Sequence, residues 1–209
     1  MKYFTALVVI FSSMNAISQD KVHFGVNTGI TYSGIRGLES DNQKNKYDFD
    51  FLIGASVEIP LSKKFSFLTG LNYERKSIIE EIKFSKLKVF GTEDPLLLNR
   101  PAGFAIKSTF NYLTFPADVK CYLGKNNLFF VNGGIQANIL LDKSVFYNTF
   151  DFGVNLGVGT KVKLSDLINL NIEIRDNLGL IKINDDSVYT KGNIKTNAIN
   201  LVLNWEFNI

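Results

Sequence analysis

Hydrophobic and polar residues alternate along most of the chain, and a period of two is typical of β-strands. Eight segments show this alternation and are predicted as strands. They are residues 22–33, 49–59, 65–78, 109–123, 128–141, 150–163, 168–177 and 196–208. A tilted strand crosses a membrane in roughly 9–11 residues, so every predicted strand is long enough to span a bilayer.

Over most of the length of each segment, the charged residues lie on one face only. Each predicted strand contains a run of alternate residues without Asp, Glu, Lys or Arg. These runs are Val22 to Tyr32, Phe49 to Ile59, Phe65 to Tyr73, Leu113 to Leu123, Phe129 to Leu141, Phe150 to Val162, Ile168 to Ile174 and Leu201 to Ile209. A charge that faces lipid costs about 2–4 kcal/mol at the bilayer midplane. The charge-free face therefore predicts contact with lipid.

The opposite face carries charges that we expect to form a structural polar network in the lumen. Buried charges must pair or stay hydrated. Eight strands leave little open channel, so a static polar plug is favoured over a path for solutes or ions. The candidate residues are Glu58, Glu74, Asp118, Lys120, Lys161, Glu173, Arg175 and Glu206.

A soluble sandwich or lipocalin-like barrel would also alternate, with its apolar face as the core. Two features favour the membrane barrel. The polar face is rich in glycine, which fits a narrow lumen better than an exposed strand. Aromatic residues of the apolar face also form two belts, as expected at the two membrane interfaces. They are Tyr32, Phe49, Tyr73 and Phe150 at one end, and Phe24, Phe65, Phe129, Trp205 and Phe207 at the other.

The connections between the predicted strands alternate in length. Residues 60–64, 124–127 and 164–167 are short turns, residues 142–149 are intermediate, and residues 34–48, 79–108 and 178–195 are long. Short periplasmic turns and longer external loops are typical of outer-membrane barrels. The sequence thus predicts an all-β, eight-stranded antiparallel up-and-down transmembrane β-barrel with both termini on the periplasmic side.

The first 18 residues are predicted to be a signal peptide. Lys2 precedes a short apolar run at residues 3–11, and small residues precede the expected cleavage site at Ser18–Gln19. This run is too short for a membrane-spanning helix. Residues 19–209 then form one barrel domain exported to the outer membrane, where its lipids surround the barrel.

The last strand ends in outward-facing Trp205, Phe207 and Ile209. A closing strand with terminal aromatics resembles the signal that the barrel-assembly machinery recognises. We therefore expect that machinery to be a partner, and these three residues to be the assembly signal.

The residue types needed for catalysis or metal binding are scarce. The chain has one cysteine and one histidine, which cannot build a typical zinc site. His23 opens the first strand at the periplasmic end and is expected to line the lumen rather than to serve a catalytic dyad. The formal net charge of +3 does not indicate a surface that binds nucleic acid. We expect no enzyme activity, no cofactor and no metal.

Tyr112-Leu113-Thr114-Phe115-Pro116, followed by Lys120-Cys121-Tyr122-Leu123, resembles a run typical of PorT-like outer-membrane barrels of Bacteroidetes. Glu173-Ile174-Arg175 with Gly179-Leu180 resembles the penultimate strand of that family. The resemblance implies an eight-stranded barrel in the outer membrane. It implies little about activity, although the best-studied relatives assist type IX secretion. Proline lacks a ladder N–H, so Pro116 is expected to mark a β-bulge.

Three functions remain open at this stage. The leading hypothesis is a non-enzymatic barrel with a structural, adhesive or loop-mediated interaction role. Apolar residues at 95–98 and 104–106 make the connection at 79–108 a candidate contact for a protein partner. The second is an accessory factor of secretion or envelope assembly. The third, a lipid-modifying enzyme, is disfavoured by the position of the single histidine.

Overall fold

Eight antiparallel strands form a closed barrel in the computed structural model of the chain, and each strand pairs with the next along the sequence. The structure describes residues 22–37, 43–83, 103–124, 126–142, 147–184 and 193–207. The predicted signal peptide, residues 1–18, and Ile209 lie outside the described residues. The strands are β1 (His23–Arg36), β2 (Gln43–Pro60), β3 (Phe65–Lys83), β4 (Gly103–Leu123), β5 (Phe129–Leu140), β6 (Phe150–Lys163), β7 (Ile168–Gly179) and β8 (Lys195–Phe207). The predicted fold class is confirmed.

The first and last strands close the ring. β1 pairs with β8 in one unbroken register, from Phe24 opposite Phe207 to Arg36 opposite Lys195. A strand with two neighbours leaves no open row of backbone groups, which is the requirement for crossing a medium without hydrogen-bond partners. Among the described residues, no helix is long and apolar enough to span a membrane.

Side chains alternate between the barrel interior and its outer surface, as the sequence pattern predicts. In β1, Phe24, Val26 and Ile30 are exposed, whereas Asn27 and Thr31 are buried. This is the reverse of a soluble barrel, in which the apolar face would fill the core. The protein exposes an apolar surface and buries a polar interior.

The predicted aromatic belts lie on the outer surface at the two ends of the barrel. At the long-loop end, Tyr32 of β1 lies opposite Phe49 of β2, and their ring centroids are 4.7 Å apart. At the short-turn end, Phe24 lies opposite Phe207. Amphipathic and aromatic rings are favoured at membrane interfaces, so the belts mark the limits of the lipid-facing band.

Strands β2, β3 and β4 continue farthest beyond the belt at the long-loop end. β3 and β4 remain paired up to Lys83 opposite Gly103, and β2 pairs with this part of β3. The expectation of a loop over residues 79–108 is therefore wrong at both of its ends, while residues 95–98 lie outside the described residues. The charge-free face ends in this three-stranded extension (residues 43–48, 77–83 and 103–109), where Lys46 pairs with Glu81 and Lys107 pairs with Asp48.

The bulge lies elsewhere than predicted. The β3–β4 and β4–β5 registers show no shift around Pro116, so the expected bulge there is wrong. Ladder pairs between β3 and β4 are missing only where Gly70 and Leu71 face Pro116 and Phe115, and the Thr69 hydroxyl donates to the Pro116 carbonyl at 2.8 Å. The β2–β3 register shifts instead between Tyr47 and Leu52, where the extension begins.

Candidate functional site

The inward face of the barrel brings together all eight residues that the sequence predicts for the lumen network. Seven of them are buried, and Lys161 is half-buried near the short-turn end. They come from six strands, so no local segment could assemble them. They are Glu58, Glu74, Asp118, Lys120, Lys161, Glu173, Arg175 and Glu206.

Near the short-turn end, Glu58 is held by two donors. The Lys120 ammonium lies 2.8 Å from one carboxylate oxygen, and the Tyr122 hydroxyl donates to the other at 2.6 Å. Lys120 also lies over the aromatic rings of Tyr122 and Phe130, at 4.9 and 4.1 Å from their centroids. Cation–π contacts strengthen in a desolvated site, so this cation is compensated on two sides.

Glu206 anchors the second pair at this end. Lys161 donates to Glu206 at 2.6 Å, and the side-chain amides of Asn169 and Asn171 donate to the same carboxylate at 3.1 and 3.0 Å. The predicted lumen position of His23 agrees with its inward direction, and its Nδ1 lies 3.7 Å from Glu206. The histidine thus lies beside a carboxylate that is already paired with Lys161.

A third cluster fills the middle of the barrel. Arg175 donates to Glu173 at 2.6 Å, and its guanidinium lies 3.6 Å from Asp118. Asn132 donates to Glu173 at 3.0 Å, and Asn155 donates to Asp118 at 2.8 Å. A buried charge without such partners would cost several kcal/mol.

Glu74 completes the predicted set and reveals a member that sequence reasoning missed. The Lys76 ammonium lies 3.3 Å from Glu74, while Asn200 and Thr114 donate to the carboxylate at 2.8 and 3.1 Å. Lys76 is itself buried and lies 5.0 Å from the Tyr112 ring centroid. Its inward position in β3 was the signal available in the sequence.

Asparagines connect these charged clusters, and the sequence analysis overlooked them. Asn27 donates to Asn72 at 2.8 Å and accepts from Asn204 at 2.6 Å. An amide has both donors and acceptors, so it can join neighbours of either kind within a closed space. The recurrence of Asn at inward positions was the missed signal.

Two glycines show how tightly the interior is packed. A Cβ at Gly134 would collide with the side chain of Asp118, and one at Gly157 would collide with the side chains of Asn132 and Glu173. Glycine is required here for the close approach of the network to the barrel wall.

An apolar cluster closes the interior at the long-loop end, which the sequence did not predict. Phe110 and Tyr147 meet edge to face with centroids 4.9 Å apart, and burial raises the pKa of the Tyr147 phenol. Backbone hydrogen bonds fix the loop residues of the cluster, because Ile183 donates to the Ile194 carbonyl at 2.9 Å. The buried members are Ile35, Ile78, Phe110, Tyr112, Leu140, Ile183 and Ile194.

The described interior offers little free space. Between the charged clusters lies a cavity of about 30 Å³, bordered by Gln136, Asn200 and Asn204 among others. This volume suits about one water molecule. Within the ranges that the structure describes, no group of three or more His, Cys, Asp or Glu side chains is placed to hold a metal ion.

The nominated assembly-signal residues lie at the short-turn end of β8. Trp205 and Phe207 point outward, and Phe207 lies opposite both Phe24 of β1 and Ile168 of β7. Whether these side chains direct assembly stays a prediction.

Solved structures of small membrane barrels are similar to this one. Neisserial surface protein A has a TM-score of 0.50 at 11% identity, with 91% of this chain and 100% of that chain covered. AlkL, solved in lipid bilayers, has a TM-score of 0.50 at 13% identity, with 92% and 93% covered. OprG from Pseudomonas aeruginosa has a TM-score of 0.47 at 12% identity, with 88% and 92% covered. At these identities the likeness shows the fold alone.

No curated protein matches the sequence at a significant level. Residues 17–185, which are more than half of the chain, match a family described as an outer membrane protein beta-barrel domain. The match agrees with the apolar outer band, the polar interior and the short turns at one end, which in such barrels is the periplasmic end. The chain belongs to the outer-membrane β-barrel domain family.

Proposed function

We propose that this protein is a non-enzymatic, non-conducting outer-membrane barrel that binds an extracellular protein through its three-stranded extension. The observation that carries the proposal is the unpaired backbone edge of β4 in that extension. β4 pairs with β5 only from Tyr112 opposite Leu140 towards the periplasm. Among the described residues, no strand pairs with residues 103–110 of β4 on the β5 side.

The backbone geometry identifies which groups this edge presents. The Asn111 carbonyl accepts from Leu141 at 2.8 Å, and the Asn111 N–H donates to the Asp142 carboxylate at 2.7 Å. Because backbone direction alternates along a strand, Thr109, Lys107 and Ala105 direct their N–H and C=O groups to the same side. Asp142 thus ends the ladder, and the groups beyond it can accept an added strand.

The interior supports the non-conducting part of the proposal. Paired charges fill the barrel from Glu58 to Glu74, and the apolar cluster around Phe110 and Ile194 covers the extracellular end. Eight-stranded barrels have interiors just wide enough for side chains. An ion would have to displace several buried pairs at once.

A photo-crosslinking amino acid at Thr109 tests the proposed binding edge in intact cells. We expect defined adducts with an extracellular protein that are lost in Lys107→Pro and kept in Lys107→Ala. Both changes remove the 2.5 Å ion pair with Asp48, but only proline removes the edge N–H. The absence of adducts, or adducts that survive Lys107→Pro, would exclude strand addition here. Ohmic conductance of the purified barrel in planar bilayers would exclude the non-conducting role.

An accessory role in secretion, suggested by the PorT-like resemblance, is the second candidate. The residues of that resemblance are largely structural in their contacts: Tyr112 is buried against Lys76, and Arg175 pairs with Glu173. These contacts support the barrel architecture, and they identify no surface that would contact a secretion partner. Loss of secreted cargo after deletion of the gene, with restoration by the intact chain and by Lys107→Pro, would favour this candidate over the first.

A further inference from the structure

The short-turn end of the barrel opens into a vestibule of about 750 Å³. It is lined by Pro60, Ser62, Lys63 and Lys64 of one turn, by Asn126 and Asn127 of another, and by the last inward side chains of the strands. Glu58, Tyr122 and Lys161 border its inner end, and their pairing with Lys120 and Glu206 closes the passage towards the middle of the barrel. The vestibule is therefore a cup that opens only to the periplasm.

Positive charge dominates the lining. Four lysines border the vestibule, and Glu58 is the one carboxylate among its described lining residues. The lysines are Lys63, Lys64, Lys161 and Lys163. Since Glu58 is already paired with Lys120 at 2.8 Å, it does not neutralise them.

Two of these lysines have no anionic partner in the described part of the chain. Lys161 pairs with Glu206, and Lys163 pairs with exposed Asp166 at 2.6 Å, which lowers the pKa of that carboxyl. Lys64 donates to neutral acceptors, the Gly124 carbonyl and the Asn127 amide oxygen. Lys63 makes no ion pair with a described residue.

The neutral groups of the lining suit the same kind of ligand. Hydroxyls of Ser62 and Ser66 and the side-chain amide of Asn126 border the vestibule beside the ammonium groups. A phosphate group has several strong acceptor oxygens, which ammonium, amide and hydroxyl donors satisfy together. The lysines and these donors border the same vestibule, whereas lysines that only contacted lipid headgroups would lie on the outer surface of the barrel.

We propose that the periplasmic vestibule is a binding site for a phosphate-bearing anion. Lys63 and Lys64 supply the uncompensated charge, and the turn amides and hydroxyls supply the remaining donors. The phosphate can belong to a lipid headgroup of the inner leaflet or to a free periplasmic solute, because both reach the mouth of the vestibule.

Titration of the refolded barrel in neutral nanodiscs with inorganic phosphate tests the proposal, with the backbone amides of Asn126 and Asn127 followed by NMR. We expect saturable shifts that sodium chloride at equal ionic strength does not produce. Lys63→Gln with Lys64→Gln should weaken the affinity about tenfold or more. Lys46→Gln with Lys107→Gln removes the same charge at the opposite end and should leave the affinity within about twofold.

Equal affinities in the two double variants, or equal shifts with chloride, would overturn the site. Heat-dependent gel migration of both variants verifies that each barrel is folded. A second arm compares glycerol 3-phosphate with dihexanoyl phosphatidic acid. Tighter binding of the lipid assigns the site to a headgroup, equal binding assigns it to a free solute, and failure of both to bind would overturn the proposal.

Discussion

Lys120 and Glu58 form an ion pair with 2.8 Å between nitrogen and oxygen, and both side chains are almost completely buried. They lie 62 residues apart on β4 and β2, two strands that are not neighbours in the barrel. The pair therefore reaches across β3 on the inner face and ties two non-adjacent strands of the wall together.

Removal of one partner should be more harmful than removal of both charges. Lys120→Met leaves the Glu58 carboxylate buried without its cation, and we expect a loss of about 3–5 kcal/mol of unfolding free energy. Adding Glu58→Gln should recover most of that loss. Urea unfolding in lipid vesicles measures both, and a double variant less stable than Lys120→Met would contradict this description of the pair.

A charged substitution should lower the unfolding free energy much more in the lipid-facing band than in the extension. Leu201 and Ile106 are equally exposed, at 42% each, but Leu201 lies in the middle of β8 and Ile106 in the extension. Leu201→Lys should lower the unfolding free energy by about 2–4 kcal/mol. Ile106→Lys should change it by less than about 0.5 kcal/mol. The same unfolding assay compares them, and equal losses would mean that the lipid-facing band is misplaced.

The apolar cluster should contribute substantially to stability although it lies outside the lipid band. Ile194 is fully buried in it, whereas Ile199 of β8 is 45% exposed on the outer surface. We expect Ile194→Ala to cost about 2–5 kcal/mol, because it opens a cavity that neighbours fill only in part. Ile199→Ala, the same chemical change against lipid, should cost less than about 1 kcal/mol. Similar values would indicate that the cluster is loosely packed.

The last residues of the chain should be required for insertion. Deleting residues 207–209 removes Phe207 from its positions opposite Phe24 and Ile168, and also removes the proposed assembly signal. We expect loss of the protein from the membrane fraction and loss of protease resistance. A three-residue deletion within residues 38–42 is the control and should leave both unchanged. Normal insertion of the truncated chain would rule out both roles of this segment.

The lipid-facing strands could be predicted because lipid imposes a strict rule on one face. The predicted bounds of β6, Phe150–Lys163, agree with the structure at both ends. The rule lapses beyond the lipid band, where ion pairs such as Lys46 with Glu81 at 2.6 Å replace apolar alternation. The extra length of β3 and β4 therefore left no comparable signal.

The interior was predictable in kind but not in detail. The alternation along each strand identified the charges around Arg175 as facing inward. It could not show which carboxylate each cation contacts, because that depends on the register of strands that are distant in sequence. The apolar cluster was missed because Ile183 and Ile194 belong to a connection, and only its folding back over Phe110 buries them. At Pro116 the expected bulge is absent because a local gap in the ladder, opposite Gly70 and Leu71, accommodates the proline without a register shift.

The register between β1 and β8 has a consequence for how the chain folds. Phe24 can meet Phe207 only after nearly the whole sequence has been drawn into a loop, and the entropy cost of closing a loop grows with its length. All other strand pairs are hairpin neighbours that form locally. Folding of this protein is thus expected to be limited by one late, long-range event, and partly assembled hairpins persist until it occurs.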